Sequence, residues 1–242
     1  MSLFYSKLLI EIEKPDSIEC LLNYMSDGRI ENGKSIEPET GRFFEAFRRD
    51  ENLPNQITAY DLLAVTFLSI RIANSGGIRP KSVEKLFDSE IQKLLRAELR
   101  HIPSSWCLES ITEDEFEVVE MRSSNLFKIL DEEVGLGRVS KYKLLARKRP
   151  SLYPIRDSVV EKLLGPKTEL WYRNWFDSLR QDDAKVTKIL RKIRNLDGFG
   201  GQISAEVKTR VENLGLIRVA DIVIWERNHL RTPKKSKKVL PT

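Results

Sequence analysis

Asn125 to Leu164 reads NLFKILDEEVGLGRVSKYKLLARKRPSLYPIRDSVVEKLL, and the fold depends on how its paired glycines are taken. Leu126, Phe127, Ile129 and Leu130 recur at helical spacing up to Gly135-Leu136-Gly137, and a second periodic run, Val139, Tyr142, Leu144 and Leu145, begins directly after it. The pattern predicts two short helices joined by a glycine hairpin, a helix-hairpin-helix over 125–149. Two glycines within three residues permit positive φ and a close approach of the backbone to another molecule. The amides of Gly137, Arg138 and Val139 then stand at the open amino end of the second helix, a position that attracts an anion, most often a phosphate. That helix also carries Arg138, Lys141, Lys143, Arg147, Lys148 and Arg149 with no acidic residue among them, so a positive field is expected. On this reading Gly135, Gly137, Arg138, Val139, Ser140, Lys141, Lys143, Arg147 and Lys148 hold the phosphate backbone of DNA. Such contacts carry little base information and weaken steeply with salt.

Outward from the hairpin the pattern stays helical. Upstream, Thr112 followed by Glu113, Asp114 and Glu115 marks a helix start, with acids suited to the positive end of the helix dipole. Pro80 to about His101 reads as one or two helices. Thr58 looks like the N-cap of AYDLLAVTFLSIRI, which is apolar nearly all round and is expected to be the buried central helix of the first half, ended by Asn74-Ser75-Gly76-Gly77. GRFFEAFRR, 41–49, predicts a helix with Phe43, Phe44 and Phe47 on one face, core aromatics in preference to a base-stacking platform. LFYSKLLIEIE near the start fits a strand or a helix equally, and a helix follows Pro15 over about 17–25.

Downstream, Ser158-Val159-Val160-Glu161 fits a capping box, so a helix should start near Asp157 or Ser158 and stop at Gly165-Pro166. Trp171, Trp175 and Leu179 mark the next helix, and Val186, Ile189, Leu190 and Ile193 another. Ser204 is a candidate cap for a helix through Val207 and Val211, and LIRVADIVIWERNHL forms the last. The expected class is all-α, about ten helices, a multi-helix globular fold with the hairpin at its centre. A single helical domain over 1–230, in one body or two lobes, would be followed by a disordered basic tail over 231–242.

Composition bounds the function. With 242 residues, 40% of them hydrophobic, the chain can bury a substantial core. The net charge of +5 is partly the Lys-rich tail, so bulk charge alone does not establish nucleic-acid binding. Cys20 and Cys107 are far apart, and neither cysteine nor His101 or His229 has metal-ligand spacing, which argues against disulfide scaffolds, metal sites and cofactors. No run is long enough to span a membrane, and a cytoplasmic protein is expected.

The glycine hairpin, the basic helix and Pro154-Ile155-Arg156-Asp157 at the next helix start together resemble the helix-hairpin-helix and Gly/Pro-Asp motif of DNA glycosylases of the endonuclease III type. The resemblance spans about 125–164. It implies an all-α fold of two helical lobes, phosphate held by the hairpin amides, and Asp157 as the carboxylate that assists loss of a damaged base. Three features depart from that pattern. Glu133-Val134 replaces the usual Leu-Pro and sets Glu132 and Glu133 beside the phosphate site. Val139 stands where bifunctional members carry their Schiff-base lysine. The cluster cysteines are absent. ETGRFFEAF, ITAYDLLAVTFLSI, SKYKLLARKRPSLYPIRDSVV and LGLIRVADIVIWE are together similar to an uncharacterised bacterial family, mostly actinobacterial, a resemblance that implies no activity.

Asp157 has a second explanation, because Asp is a favoured N-cap and a cap needs no chemistry. Trp171, Tyr172 and Trp175 could line a pocket for an everted base, although their spacing equally fits a core stripe. Two functions follow, a glycosylase-like enzyme using Asp157 and a non-catalytic DNA-binding or interaction module. A cleft beside Asp157 would separate them.

Overall fold

The computed structural model describes residues 2–31, 34–37, 39–48, 53–73, 77–165 and 170–229. The tail expected over 231–242, and the Asn74-Ser75-Gly76 part of the expected helix stop, lie outside the described residues. As the hydrophobic periodicity predicted, the fold is all-α, with eleven α-helices among the described residues. One small addition was not foreseen, an antiparallel hairpin of two three-residue strands, β1 (Arg29–Glu31) and β2 (Lys34–Ile36). No described helix is long and apolar enough to cross a membrane.

The first stretch is helical, α1 (Leu3–Ile12), with Ser2 accepting from the Tyr5 amide, and α2 (Ser17–Met25) follows Pro15. Phe43, Phe44 and Phe47 lie on no regular α-helix. A single 3₁₀ turn, Thr40–Phe43, leads into turns that bury Phe44, while Phe43 and Phe47 pack against Phe67. Thr58 caps α3 (Ala59–Thr66) in a reciprocal box with Asp61, but the helix stops well short of the expected length and leaves Leu63 and Tyr60 exposed. Ser69, with φ of 63°, lies beyond its end.

The Pro80–His101 region is two helices, α4 (Pro80–Leu86) and α5 (Ser89–Arg100). Thr112 caps α6 (Glu113–Lys128), boxed with Glu115, and α6 runs on through a π turn over Ile129–Glu133. Then come α7 (Arg138–Lys148), α8 (Ser158–Leu164), α9 (Trp171–Arg194), α10 (Ala205–Glu212), capped by Ser204, and α11 (Leu216–His229). The two helices expected across 171–193 are both present within α9, separated by a kink. Gln181 is extended, and Asp182, Asp183 and Ala184 all have positive φ, a conformation costly for residues with a Cβ. Tyr5 holds the break by donating to Asp182 Oδ2 at 2.7 Å.

α3, expected as the buried central helix of the first half, leaves Tyr60 and Leu63 exposed, and the helix at the centre of the core is α11. It packs against α1, α2, α8 and α9, and eleven of its residues from Leu216 to Arg227 are buried. Four of these buried residues are charged, and both arginines meet distant partners. Arg227 donates to Asp16 at 2.6 Å and to Ser17 Oγ at 2.9 Å, and Arg218 reaches Glu45, Asp221 and Tyr24. One buried hydrophobic cluster runs from Phe4 to Ile224, and α7 passes through it against α3.

Candidate functional site

A turn joins α6 to α7 where the glycine hairpin was expected, and its two glycines do different work. Gly135 has φ of +77° and closes the end of α6, where the Leu136 amide donates to Leu130 O at 2.8 Å. That is a Schellman-like stop, the left-handed conformation that glycine adopts without steric cost. Ser82 Oγ donates to the Gly135 carbonyl at 3.2 Å, so α4 braces the turn. Gly137, expected to share the positive φ, has φ of −67° and serves as the N-cap of α7. Any residue could adopt that backbone. A Cβ at Gly137 would find nothing within 4 Å, because it would stand in open space at the mouth of a cleft.

The cleft has a volume of about 860 Å³. Gly137, Arg138, Val139 and Ser140 border it at the amino end of α7, where no side chain caps the free amides. Asp157 borders it from the start of α8. Tyr24 and Phe67 add aromatic walls, with Trp225 and His229 stacked on each other at 3.8 Å. Asp157 caps α8 through Oδ1, which accepts from the Val159 amide at 2.9 Å. Its other oxygen, Oδ2, lies 3.7 Å from Lys143 Nζ. The expected capping box does not form, because Glu161 turns away to accept from Arg156 at 2.7 Å and to pair with Arg138 at 3.1 Å.

Lys143 is almost wholly buried and donates to Leu68 O at 2.7 Å. Burial pushes its pKa below the usual lysine value, and the Asp157 and Asp221 carboxylates pull it partly back. Asp221 is buried in the same cleft wall. Its Oδ2 accepts from Arg218, while its Oδ1 has no hydrogen-bond partner. Burial is the main reason that its pKa is raised to about 6, with Arg218 opposing the shift and Asp157 adding to it.

The rest of the basic helix is interior. From Ser140 to Lys148 every residue of α7 is buried, so the positive stripe expected on a DNA-facing surface is absent. Arg147 donates to the carbonyls of Phe44, Glu45 and Phe47. Lys148 donates to Leu53 O and meets Asp61 at 2.9 Å, and Arg149 donates to the Ile102, Pro54 and Leu99 carbonyls. These cations satisfy backbone acceptors that would otherwise be buried without donors. Lys141 pairs with Asp131 at 2.6 Å. Of the expected phosphate-binding set, then, Gly137, Arg138, Val139, Ser140 and Lys143 meet at the cleft, Gly135 shapes the turn behind it, and Lys141, Arg147 and Lys148 do not border it.

Trp171, Tyr172 and Trp175 form part of the core and do not border the cleft. In their place stand Tyr24, Glu39, Arg218, Asp221 and Trp225, which sequence reasoning did not single out, and His229, noted there only for its lack of metal-ligand spacing. Arg218 and Asp221 did leave a trace, an opposite-charge pair three apart inside the apolar LIRVADIVIWE. His229 lies between two carboxylates, 3.5 Å from Glu39 and 3.9 Å from Glu226. Burial alone would lower its pKa, but the two glutamates outweigh burial and raise it. Among the described residues, Glu39, Glu226 and His229 are the side chains grouped closely enough to hold a metal ion.

The chain belongs to a family of unknown function, DUF6308, whose profile matches residues 17–228. No curated protein and no solved structure gives a significant match.

Proposed function

We propose that the protein binds nucleic acid by taking one nucleotide unit into the cleft, with a backbone phosphate at the amino end of α7. The observation that carries this reading is a shared opening: Gly137, the amides that follow it and the Asp157 carboxylate all border one space of about 860 Å³. A volume in this range suits a small organic ligand. A helix amino end favours an anion through its free N–H groups and its dipole, and a glycine without a Cβ lets the phosphate come close. Phe67 and the Trp225–His229 stack offer faces for a base.

Because α7 keeps most of its cations inside, few ion pairs are available to such a ligand. Affinity should therefore fall with salt by a slope that corresponds to roughly one or two phosphates, shallower than a surface stripe of lysines would give. Asp157 is the group suited to chemistry. Its Oδ2 stands toward Lys143 and the cleft, where a carboxylate would stabilise positive charge developing on a sugar as its base departs, the glycosylase-like step that the resemblance implies. One observation favours a second reading, a module that binds without reacting: Asp157 Oδ1 is engaged in capping α8.

The test pairs affinity with base release. DNA carrying alkylated, deaminated or oxidised bases would be incubated with the wild type and Asp157→Asn, which preserves the cap. Release by the wild type alone supports the enzyme, and binding without release by either supports the module. Absence of binding at low salt removes the nucleic-acid reading.

A further inference from the structure

A buried carboxylate oxygen without a donor is costly, and a proton on it removes most of the cost. Asp221 Oδ1 is such an oxygen. It belongs to a side chain that is 3% exposed, it has no hydrogen-bond partner, and the residue borders the cleft that also holds Asp157. Glu45 likewise leaves Oε2 unpartnered, but Glu45 does not border this cleft.

The groups around Asp221 come from five segments. Arg218, on its own helix α11, donates to its Oδ2. Glu45, after the 3₁₀ turn, holds the Nε of Arg218, and Tyr24 of α2 accepts from Arg218 Nη2 at 2.9 Å. Lys143 of α7 and Asp157 at the start of α8 complete the set, 3.7 Å apart. Two cations, Lys143 and Arg218, thus face three carboxyls, Asp157, Asp221 and Glu45. Fully ionised, the cluster carries one surplus negative charge in a buried site, and a single proton neutralises it. Asp157 has Lys143 and the Val159 amide, and Glu45 has Arg218 Nε and does not border the cleft, so among the cleft-bordering carboxyls of this cluster the buried oxygen without a donor is on Asp221.

We infer that Asp221 holds the proton of this site and, through Oδ1–H, donates a hydrogen bond to the base or sugar of the nucleotide unit bound beside Asp157. The inference rests on the nucleotide reading above and adds a division of labour to it, with Asp157 as the anion and Asp221 as the neutral acid. The raised pKa of Asp221, about 6, has the same direction. Wild type should then bind best below that value and lose about tenfold in affinity for each pH unit above it, since the ligand-competent form is the protonated one. Asn at 221 can keep its amide oxygen toward Arg218 and present N–H₂ where Oδ1 was, a donor at every pH.

Fluorescence anisotropy with a short labelled single-stranded DNA, at constant ionic strength between about pH 5 and about pH 8, reads this directly. The expected result is a falling wild-type profile and a flatter Asp221→Asn profile that binds more tightly than wild type at the alkaline end. His229 also titrates in the cleft wall and belongs to the stack offered to the base, so His229→Gln is run beside it; whatever its overall affinity, a fall with pH should persist in it. A slope unchanged in Asp221→Asn, or one that disappears with His229→Gln, overturns the role of Asp221 and leaves the nucleotide reading standing. Absence of wild-type binding at every pH overturns both. If the Asn variant does not fold, the Asp carboxyl carbons of isotope-labelled wild type give the second measurement. Saturating DNA should move the carboxyl that titrates near pH 6 to a higher pKa, and a downward move contradicts the inference.

Discussion

Asp157 Oδ2 and Lys143 Nζ face each other at 3.7 Å between the start of α8 and the middle of α7, and the cleft opens beside them. Asp157 is therefore both a cap and a cleft carboxylate, one oxygen for each task. Both replacements take the facing anion from buried Lys143, but Asn keeps a good cap, whereas Asp157→Ala should lose about a further 1 kcal/mol of helix capping. Chemical denaturation of the three proteins measures the difference. Equal stability of the Asn and Ala variants would mean that the Val159 contact contributes nothing to folding.

Gly135 and Gly137 should separate cleanly in stability. Gly135→Ala forces a Cβ into a φ of +77°, 3.0 Å from Arg79 Nη2, and should cost about 1–2 kcal/mol. Gly137→Ala meets neither strain nor contact. Its modest loss as an N-cap is offset by a smaller unfolded-state entropy, so a change within about 0.5 kcal/mol is expected. Thermal unfolding of both variants would decide this, and a larger loss at Gly137 would contradict the assigned roles.

Lys148 is a structural cation. It is buried against Asp61 at 2.9 Å, and removing its charge leaves a buried carboxylate short of a donor. Lys148→Met should destabilise the fold by about 3–5 kcal/mol, while the folded fraction keeps its DNA affinity. Weaker binding by a stably folded Met variant would instead restore Lys148 to the phosphate interface.

The raised pKa of Asp221 also makes stability depend on pH. For a carboxyl whose folded pKa lies above its unfolded one, the contribution to stability is complete below the unfolded value, near 4, and is lost as pH rises through about 6. The loss is on the order of 3 kcal/mol at most, and Asp221→Asn should lack it. His229, also raised, adds a loss of the same sign in a window above its ordinary value, so the comparison belongs below about pH 6.5. Unfolding curves that fall equally between pH 4 and pH 6 in both proteins would assign the dependence to other groups.

Helix starts were legible because their signals are local. Thr58 with Asp61, Thr112 with Glu115, and Ser204 each read correctly from a few neighbouring residues. The helix stop at Gly135 was legible for the same reason. What failed was long-range. The cations of α7 look like a phosphate stripe because nothing near them in sequence reveals that their acceptors are carbonyls of 44–54 and 99–102. The burial of α11 was hidden by Arg218, Asp221, Glu226 and Arg227, whose polarity suggests a wet face until Tyr24, Glu45 and Asp16 are brought beside it. Gly137 and Asp157 were legible as candidates, but the cleft they border was not, because its remaining walls come from residues distant in sequence, 24–41, 67–77 and 218–229.

The amino end of α7, kept open by Gly137, is the seat proposed for a nucleic-acid phosphate. Fluorescence anisotropy with labelled DNA across a salt series, for wild type and Gly137→Val, tests it most directly. Wild type should bind at low salt with a logarithmic slope of roughly −1 to −2, and a Gly137→Val protein that still folds should bind at least about tenfold more weakly, because the valine side chain would stand in front of the amides. Equal affinity of the two folded proteins, or no wild-type binding at low ionic strength, would contradict it.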